Sequence, residues 1–247
     1  MVVDYEYADG VARVHLNRPE RLNAVVPELT EALIAAIDRA GAEGARAVIL
    51  AGRGRSFCAG HDLKEPVPVE TLIQTRERLE RLQDVTRAVR RFPGVVIAAV
   101  HGYALGAGCE FALGCDLVVA DESAQFGFPE VSVGLSVTGG ISRLLVDLVG
   151  LRRAKELLLL GERVTAAQAL ELGLINRVCV PGEHEAGAAQ LARTLIERPA
   201  IAVGLAKRTI DLGAEISLEQ ALALEVDQAL LTSLSGESTA AAEAFRG

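Results

Sequence analysis

Val95-Val-Ile-Ala-Ala-Val-His-Gly-Tyr-Ala-Leu-Gly-Ala-Gly-Cys-Glu110 is the stretch on which the reading of this chain turns. Its first six residues are an unbroken apolar run bounded by Pro93-Gly94 and Gly102, the signature of a strand buried on both faces. The glycines at 102, 106 and 108 do not match the dinucleotide fingerprint, and no phosphate-loop motif occurs anywhere in the chain. The segment can instead bring backbone N–H groups near Ala107 to the start of a short helix, where they favour developing negative charge. Glu110 falls just inside that helix beside Phe111, Ala112 and Leu113. A carboxylate there is either an exposed first-turn residue favoured by the helix dipole or a costly buried group with a partner or a task.

Outward from this stretch the pattern repeats. Ala47–Ala51 and Leu117–Ala120 are further short apolar runs, Ile175–Val180 is a fourth candidate, and Val11–Leu16 alternates. In Val11–Leu16 the alternation puts Ala12, Val14 and Leu16 on the core face and leaves His15 a solvated strand residue. Helical spacing runs from Pro27 to Gly41-Ala-Glu-Gly44 and from about Val69 to Arg91. Buried strands alternating with helices predict a parallel α/β core. From about Gly140 the pattern is nearly all helical, with capping boxes at Thr165/Gln168 and Ser217/Gln220. The chain therefore divides into an α/β core over 1–190 and a helical region over 191–247.

Composition narrows the function. The 247 residues carry 25 Lys and Arg against 33 Asp and Glu, a net charge of −8, and only 4% aromatics. A chain-wide basic footprint and a stacking surface for nucleic acid are both lacking. No apolar run reaches the ~18 residues of a membrane helix, and no secretory signal is visible, so a cytoplasmic protein with reduced cysteines is expected. Cys58, Cys109, Cys115 and Cys179 form no CxxC pair. The four histidines are scattered, so no metal site is expected.

Two more segments carry chemistry. Phe57-Cys-Ala-Gly-His-Asp-Leu-Lys64 follows a buried strand, where α/β sheets gather ligands. Alone it reads equally as a strand-to-helix turn with Asp62 as its cap. Gln125-Phe-Gly-Phe-Pro-Glu130 places a second acid in apolar, glycine-rich surroundings. Glu130 is either a plain helix start after Pro129 or one half of an acid/base pair with Glu110.

Taken in order with Asn17-Arg-Pro-Glu-Arg-Leu-Asn-Ala24, Cys115-Asp116 and Ala166-Ala-Gln-Ala-Leu-Glu-Leu-Gly-Leu-Ile-Asn-Arg-Val178, these segments closely resemble the crotonase superfamily of enoyl-CoA hydratases and isomerases. The resemblance implies a crotonase-like spiral of ββα units with a helical C-terminal trimerisation region, hence a homotrimer or a dimer of trimers. It implies an acyl-CoA thioester as substrate, with coenzyme A part of that substrate and no separate cofactor. The thioester oxygen would be held by the backbone N–H groups of His61 and Ala107. Glu110 and Glu130 would be the catalytic carboxyls. Arg21, Ala24, Ala59, His61, Asp62, Leu63, Lys64 and Ala107 would contact substrate or coenzyme A, with Arg18, Arg53 and Arg55 near the nucleotide end. Retention of both glutamates favours a hydratase adding water across the 2,3 double bond. Other crotonase-fold reactions (isomerisation, a specialised dehydration, C–C hydrolysis) and a non-catalytic acyl-CoA-binding scaffold are the alternatives.

The sequence departs from the family pattern in three places. Residue 61 is histidine, where many relatives carry a small residue. Ser136-Val-Thr-Gly-Gly140 lacks a common proline and has Thr138 where some isomerases carry an acid. Phe245-Arg-Gly247 stands where many relatives have a basic tail.

Overall fold

The computed structural model describes residues 1–65 and 69–237. The sheet is built from Val3–Ala8 (β1), Val11–Leu16 (β2), Ala47–Gly52 (β3), Val95–Val100 (β4), Leu117–Asp121 (β6) and Arg177–Cys179 (β9), in the order β1-β2-β3-β4-β6-β9. Only β1 is antiparallel; it pairs with β2 as a hairpin through Asp9-Gly10, both at positive φ. Every residue of β3 and β4 is buried, as their unbroken apolar runs require. One face of these strands (Val48, Leu50, Val96, Ala98, Val100) packs into the main core with Pro27–Ala42 (α1), Leu72–Arg91 (α2) and Ala107–Leu113 (α3). The other face (Ala47, Ile49, Val95, Ile97, Ala99) is covered by His184–Ile196 (α6) through Ala188 and Ala192.

A second, three-stranded sheet orders Tyr103–Leu105 (β5), Gln125–Gly127 (β7) and Arg163–Thr165 (β8). It explains the spiral. After β4 the chain gives β5 and then α3; after β6 it gives β7 and then a 3₁₀ turn at Pro129–Val133. Two isolated parallel bridges, Cys58 with Ala104 and Val25 with His61, continue the same ladder one and two turns earlier. Each turn of the spiral thus adds one strand to the large sheet and one short rung to the small one. The rungs bring residues 25, 58–61 and 104–107 side by side, although they lie far apart in the chain.

Beyond the sheets lie Ile141–Leu160 (α4), broken at Gly150, then Ala166–Glu171 (α5), Ala200–Gly213 (α7) and Leu218–Leu234 (α8). The boxes at Thr165/Gln168 and Ser217/Gln220 both form, and a third caps α2 at Thr71/Gln74, moving its start from the expected Val69 to Leu72. α6 crosses residue 190 and belongs to the sheet layer. The helices with no buried residues are α7 and α8. Phe245-Arg-Gly247 and the end of the expected helical region lie outside the described residues.

His15 is corrected. It is 5% exposed, because its side of the sheet is covered by α6, and Nε2 lies 3.0 Å from Oε2 of Glu185. Among the described residues no helix is long and apolar enough to cross a membrane, and no cluster of metal-ligating side chains occurs.

Candidate active site

The centre of the site is a backbone construction. Chain 57–60 runs alongside β5, fixed by Phe57 N–H donating to His101 O (2.8 Å), Cys58 N–H to Tyr103 O (2.8 Å) and Leu105 N–H to Cys58 O (3.0 Å). Gly60 then turns at φ +88°, where a Cβ would sit 2.7 Å from Leu105 O. Gly106 turns at φ +54°, where a Cβ would sit 2.9 Å from Oε1 of Glu130. Only glycine combines these angles with these approaches. The residues that follow the two turns are His61 and Ala107. Ala107 opens α3, so its N–H has no acceptor within the helix. Neither N–H has a hydrogen-bond acceptor among the described residues.

Glu110 lies in the first turn of α3 and is 3% exposed. The exposed reading of this residue is therefore corrected: α3 is buried along its whole length. The Glu110 carboxylate accepts from Thr138 N–H (2.6 Å) and from Thr138 Oγ1 (2.5 Å). Burial raises its pKa, and the two Thr138 donors oppose that rise. Glu130 follows Pro129 at the start of the 3₁₀ turn and is 6% exposed. It is a helix start and a buried acid at once. Its Oε1 leans over Gly106, while Oε2 has no hydrogen-bond partner among the described residues. Burial raises its pKa, its own backbone N–H opposes this, and the charge of Glu110 raises it further. The two carboxyls thus sense each other, with Glu130 set over the turn that presents Ala107.

The remaining predicted residues frame this centre. Asp62 sits between Arg18 (3.2 Å) and Arg21 (3.8 Å), its side chain almost fully buried, and its Oδ1 accepts from Lys64 N–H (3.2 Å). The cap reading of Asp62 is corrected: it closes a local turn through Lys64 N–H and holds an ion pair, while α2 is capped by Thr71. Arg18 also donates to Ala24 O and reaches Glu65, and Arg53 pairs with Asp4. These arginines are already neutralised, which the sequence did not disclose. Arg55, Leu63 and Lys64 are exposed, Ala24 is buried and Ala59 is partly buried. The His61 side chain is half-buried and faces a cavity of about 260 Å³ between α1 and α2. A larger cavity of about 900 Å³ lies at the opposite ends of the strands, beside Arg46, Gly94 and α7, and none of the predicted site residues lines it.

Sequence reasoning missed two positioning residues. Thr138 was read only as the absence of an acid. Asn23, fully buried at φ +56°, accepts from Arg18 N–H and donates to the carbonyls of Arg53, Ser56 and Phe57, tying the loop after β2 to the loop after β3. An asparagine in a turn cluster was its one available signal. Three of the four cysteines have inert surroundings: Cys58, Cys109 and Cys115 are buried, and burial pushes the Cys58 thiol up to about 12.

Residues 6–245 match the family model described as enoyl-CoA hydratase/isomerase. The chain is 36% identical over 217 residues to a short-chain-enoyl-CoA hydratase of Clostridium acetobutylicum, covering 87% of this chain and 83% of that protein. Its fold superposes on an enoyl-CoA hydratase structure from Bacillus anthracis with TM-score 0.94 and 32% identity, over 100% of this chain and 96% of the other. A second enoyl-CoA hydratase structure, from Mycobacterium smegmatis, gives TM-score 0.90 and 33% identity over 98% of this chain and 97% of the other. With the spiral of ββα units, the paired rungs and a match spanning nearly the whole sequence, the chain belongs to the enoyl-CoA hydratase/isomerase family.

Proposed function

We propose that this protein hydrates 2-enoyl-CoA thioesters. The observation that carries the reading is the pair of buried carboxyls, Glu130 with Oε1 over Gly106 and Glu110 in the first turn of the helix that Gly106 caps. Chemistry at Cβ of an enoyl thioester passes through an enolate-like species whose charge collects on the thioester oxygen. The unpartnered N–H groups of His61 and Ala107 are the donors for that oxygen, each worth about 3–4 kcal/mol by analogy with measured oxyanion holes.

The two carboxyls have different surroundings, and this divides their roles. Thr138 donates twice to Glu110 and favours its charged form. Glu130 has an oxygen without a partner and senses the charge of Glu110, so in this reading the acidic proton is assigned to Glu130. Glu110 takes a proton from water as the water oxygen bonds to Cβ. The π electrons move onto the thioester oxygen, and Glu130 delivers its proton to Cα as the carbonyl re-forms. Return of the proton from Glu110 to Glu130 through exchange with water resets the pair. Arg21, Ala24, Ala59, Asp62, Leu63 and Lys64 border the coenzyme A path in this reading. Exposed Leu148, Leu151, Leu159 and Leu160 on α4 and Leu222, Val226 and Leu230 on α8 supply apolar surface for a homotrimer or dimer of trimers, which sedimentation would test. Cysteines buried as free thiols agree with a cytoplasmic setting.

Product mass after incubation with crotonyl-CoA decides between this reaction and its relatives. Gain of one water supports hydration. An unchanged mass with a shifted double bond, or cleavage of the acyl chain, overturns it.

A further inference from the structure

His61 has two separable parts. Its backbone N–H is the donor proposed above for the thioester oxygen, while its imidazole, close enough to feel the charge of Arg78, borders the cavity of about 260 Å³ that Val25, Pro27, Arg78, Arg81 and Leu82 also line. That volume is below the ~300–1,000 Å³ of pockets that take a whole drug-sized ligand, so it fits the tail of an acyl group rather than an acyl-CoA. Not all of its polar groups are already engaged. Arg81 is engaged through all three of its nitrogens, with Nε and Nη2 on Glu31 and Nη1 on Asp84. Arg78 uses only Nε, shared between the two oxygens of Glu70, and its outer N–H groups bond nothing among the described residues. The His61 ring likewise bonds nothing among the described residues, although it is half-buried.

Charge decides what the cavity prefers. Among the groups that line the cavity, Arg78 is matched by Glu70 and Arg81 by Glu31, so two cations meet two carboxylates and no surplus positive charge awaits an anion. Burial and the charge of Arg78 hold His61 toward its neutral form. A neutral imidazole offers one N–H donor and one acceptor nitrogen, and Arg78 offers donors. An uncharged oxygen satisfies these groups. An alkyl chain leaves them unpaired once water is displaced, and a carboxylate meets Glu31 and Glu70.

We propose that the His61 side chain, with Arg78, is a specificity-determining element that selects 2-enoyl-CoA substrates whose acyl tail carries a hydroxyl or carbonyl oxygen. This rests on the hydration reading above. The test compares kcat/KM for three 2-enoyl-CoAs of equal chain length ending in a methyl, a hydroxyl or a carboxylate. The hydroxylated substrate should exceed the other two by about tenfold, as one exchanged hydrogen bond allows. His61→Leu should abolish that ratio and His61→Gln should keep most of it. Because each variant is read as a ratio within itself, a general loss of activity cancels. Pantetheine amides offer the same oxygen chemistry. If His61 serves them instead, His61→Leu lowers all three substrates equally, and the proposal is overturned. Equal rates for the three substrates in the unaltered protein overturn it too. If none of the three is hydrated, the hydration reading fails by itself, and competition binding of the saturated hydroxylated and plain acyl-CoAs decides whether the cavity prefers oxygen.

Discussion

Thr138 shows how one side chain sets the chemistry of another. It supplies both hydrogen bonds to Glu110, one from its N–H and one from its hydroxyl. Thr138→Val keeps the first and removes the second. Because the lost donor favours the charged carboxylate, the pKa of Glu110 rises further, and the acid limb of kcat/KM moves to higher pH. An unmoved acid limb in the variant would show that Glu110 is not the titrating base. Burial raises both glutamates, so in the unaltered protein both limbs of the pH profile should lie above the ordinary carboxylate range. The two acids were legible in the sequence because charged residues are costly in apolar segments. Thr138 was not: it lies 28 residues beyond Glu110, and only tertiary packing joins them. His15 failed for the same reason, since α6, which covers it, contributes Glu185 from 170 residues away.

Elements with their own local signals were read well. β3, β4 and β6 follow from unbroken apolar runs, and two of the three capping boxes were visible as Ser/Thr three residues before Gln. Thr165→Ala should lower stability by about 1 kcal/mol, read as a lower urea midpoint at unchanged slope. A midpoint equal to that of the unaltered protein would mean that α5 does not depend on its cap. β5, β7 and β8 have three residues each, too short for any periodicity, and they persist only because the spiral stacks them. α7 is held differently. Lys207 Nζ reaches Asp116 (2.8 Å) and the carbonyls of Val89 (2.6 Å) and Gly94 (3.2 Å) beneath the sheet. Lys207→Ala leaves the part-buried Asp116 without its cation and should cost about 1–3 kcal/mol, with α7 the first segment to lose hydrogen-exchange protection. Protection in α7 equal to that of α6 would contradict this.

For the whole molecule, acid sensitivity is built in where the sheet meets α6. The rings of His101 and His184 stack at 4.3 Å, both buried; Nδ1 of His101 lacks a hydrogen-bond partner among the described residues, and Nδ1 of His184 lies 3.4 Å from Oδ2 of Asp121. Burial, followed by the neighbouring His101, lowers the pKa of His184; Asp121 and Glu185 oppose this. The folded value therefore lies below the unfolded value of about 6.5. Above that unfolded value both states are neutral and the contribution is fully present; as pH falls below it the unfolded chain binds the proton first, and stability is lost. Unfolding by urea at neutral pH and at about pH 5.5 should show that loss, and His184→Gln should reduce it. An identical loss in the variant would place the acid sensitivity elsewhere. The spiral and the family were legible from motif order. The orientation of the arginines was not, because Asp4 and Glu65 carry no motif and the segment that holds Asp62 does not name its partners.

The most direct measurement of the two-carboxyl mechanism is the hydration rate of Glu130→Gln beside its affinity for a saturated acyl-CoA. The amide keeps the size of the side chain and its place over Gly106 but has no acidic proton to give to Cα. Turnover should fall by about 10²–10⁴-fold, the usual contribution of a positioned acid, while the dissociation constant stays within a few fold. A rate close to that of the unaltered protein, with binding intact, would contradict the assignment of Glu130 as the proton donor and with it the division of roles between the two glutamates.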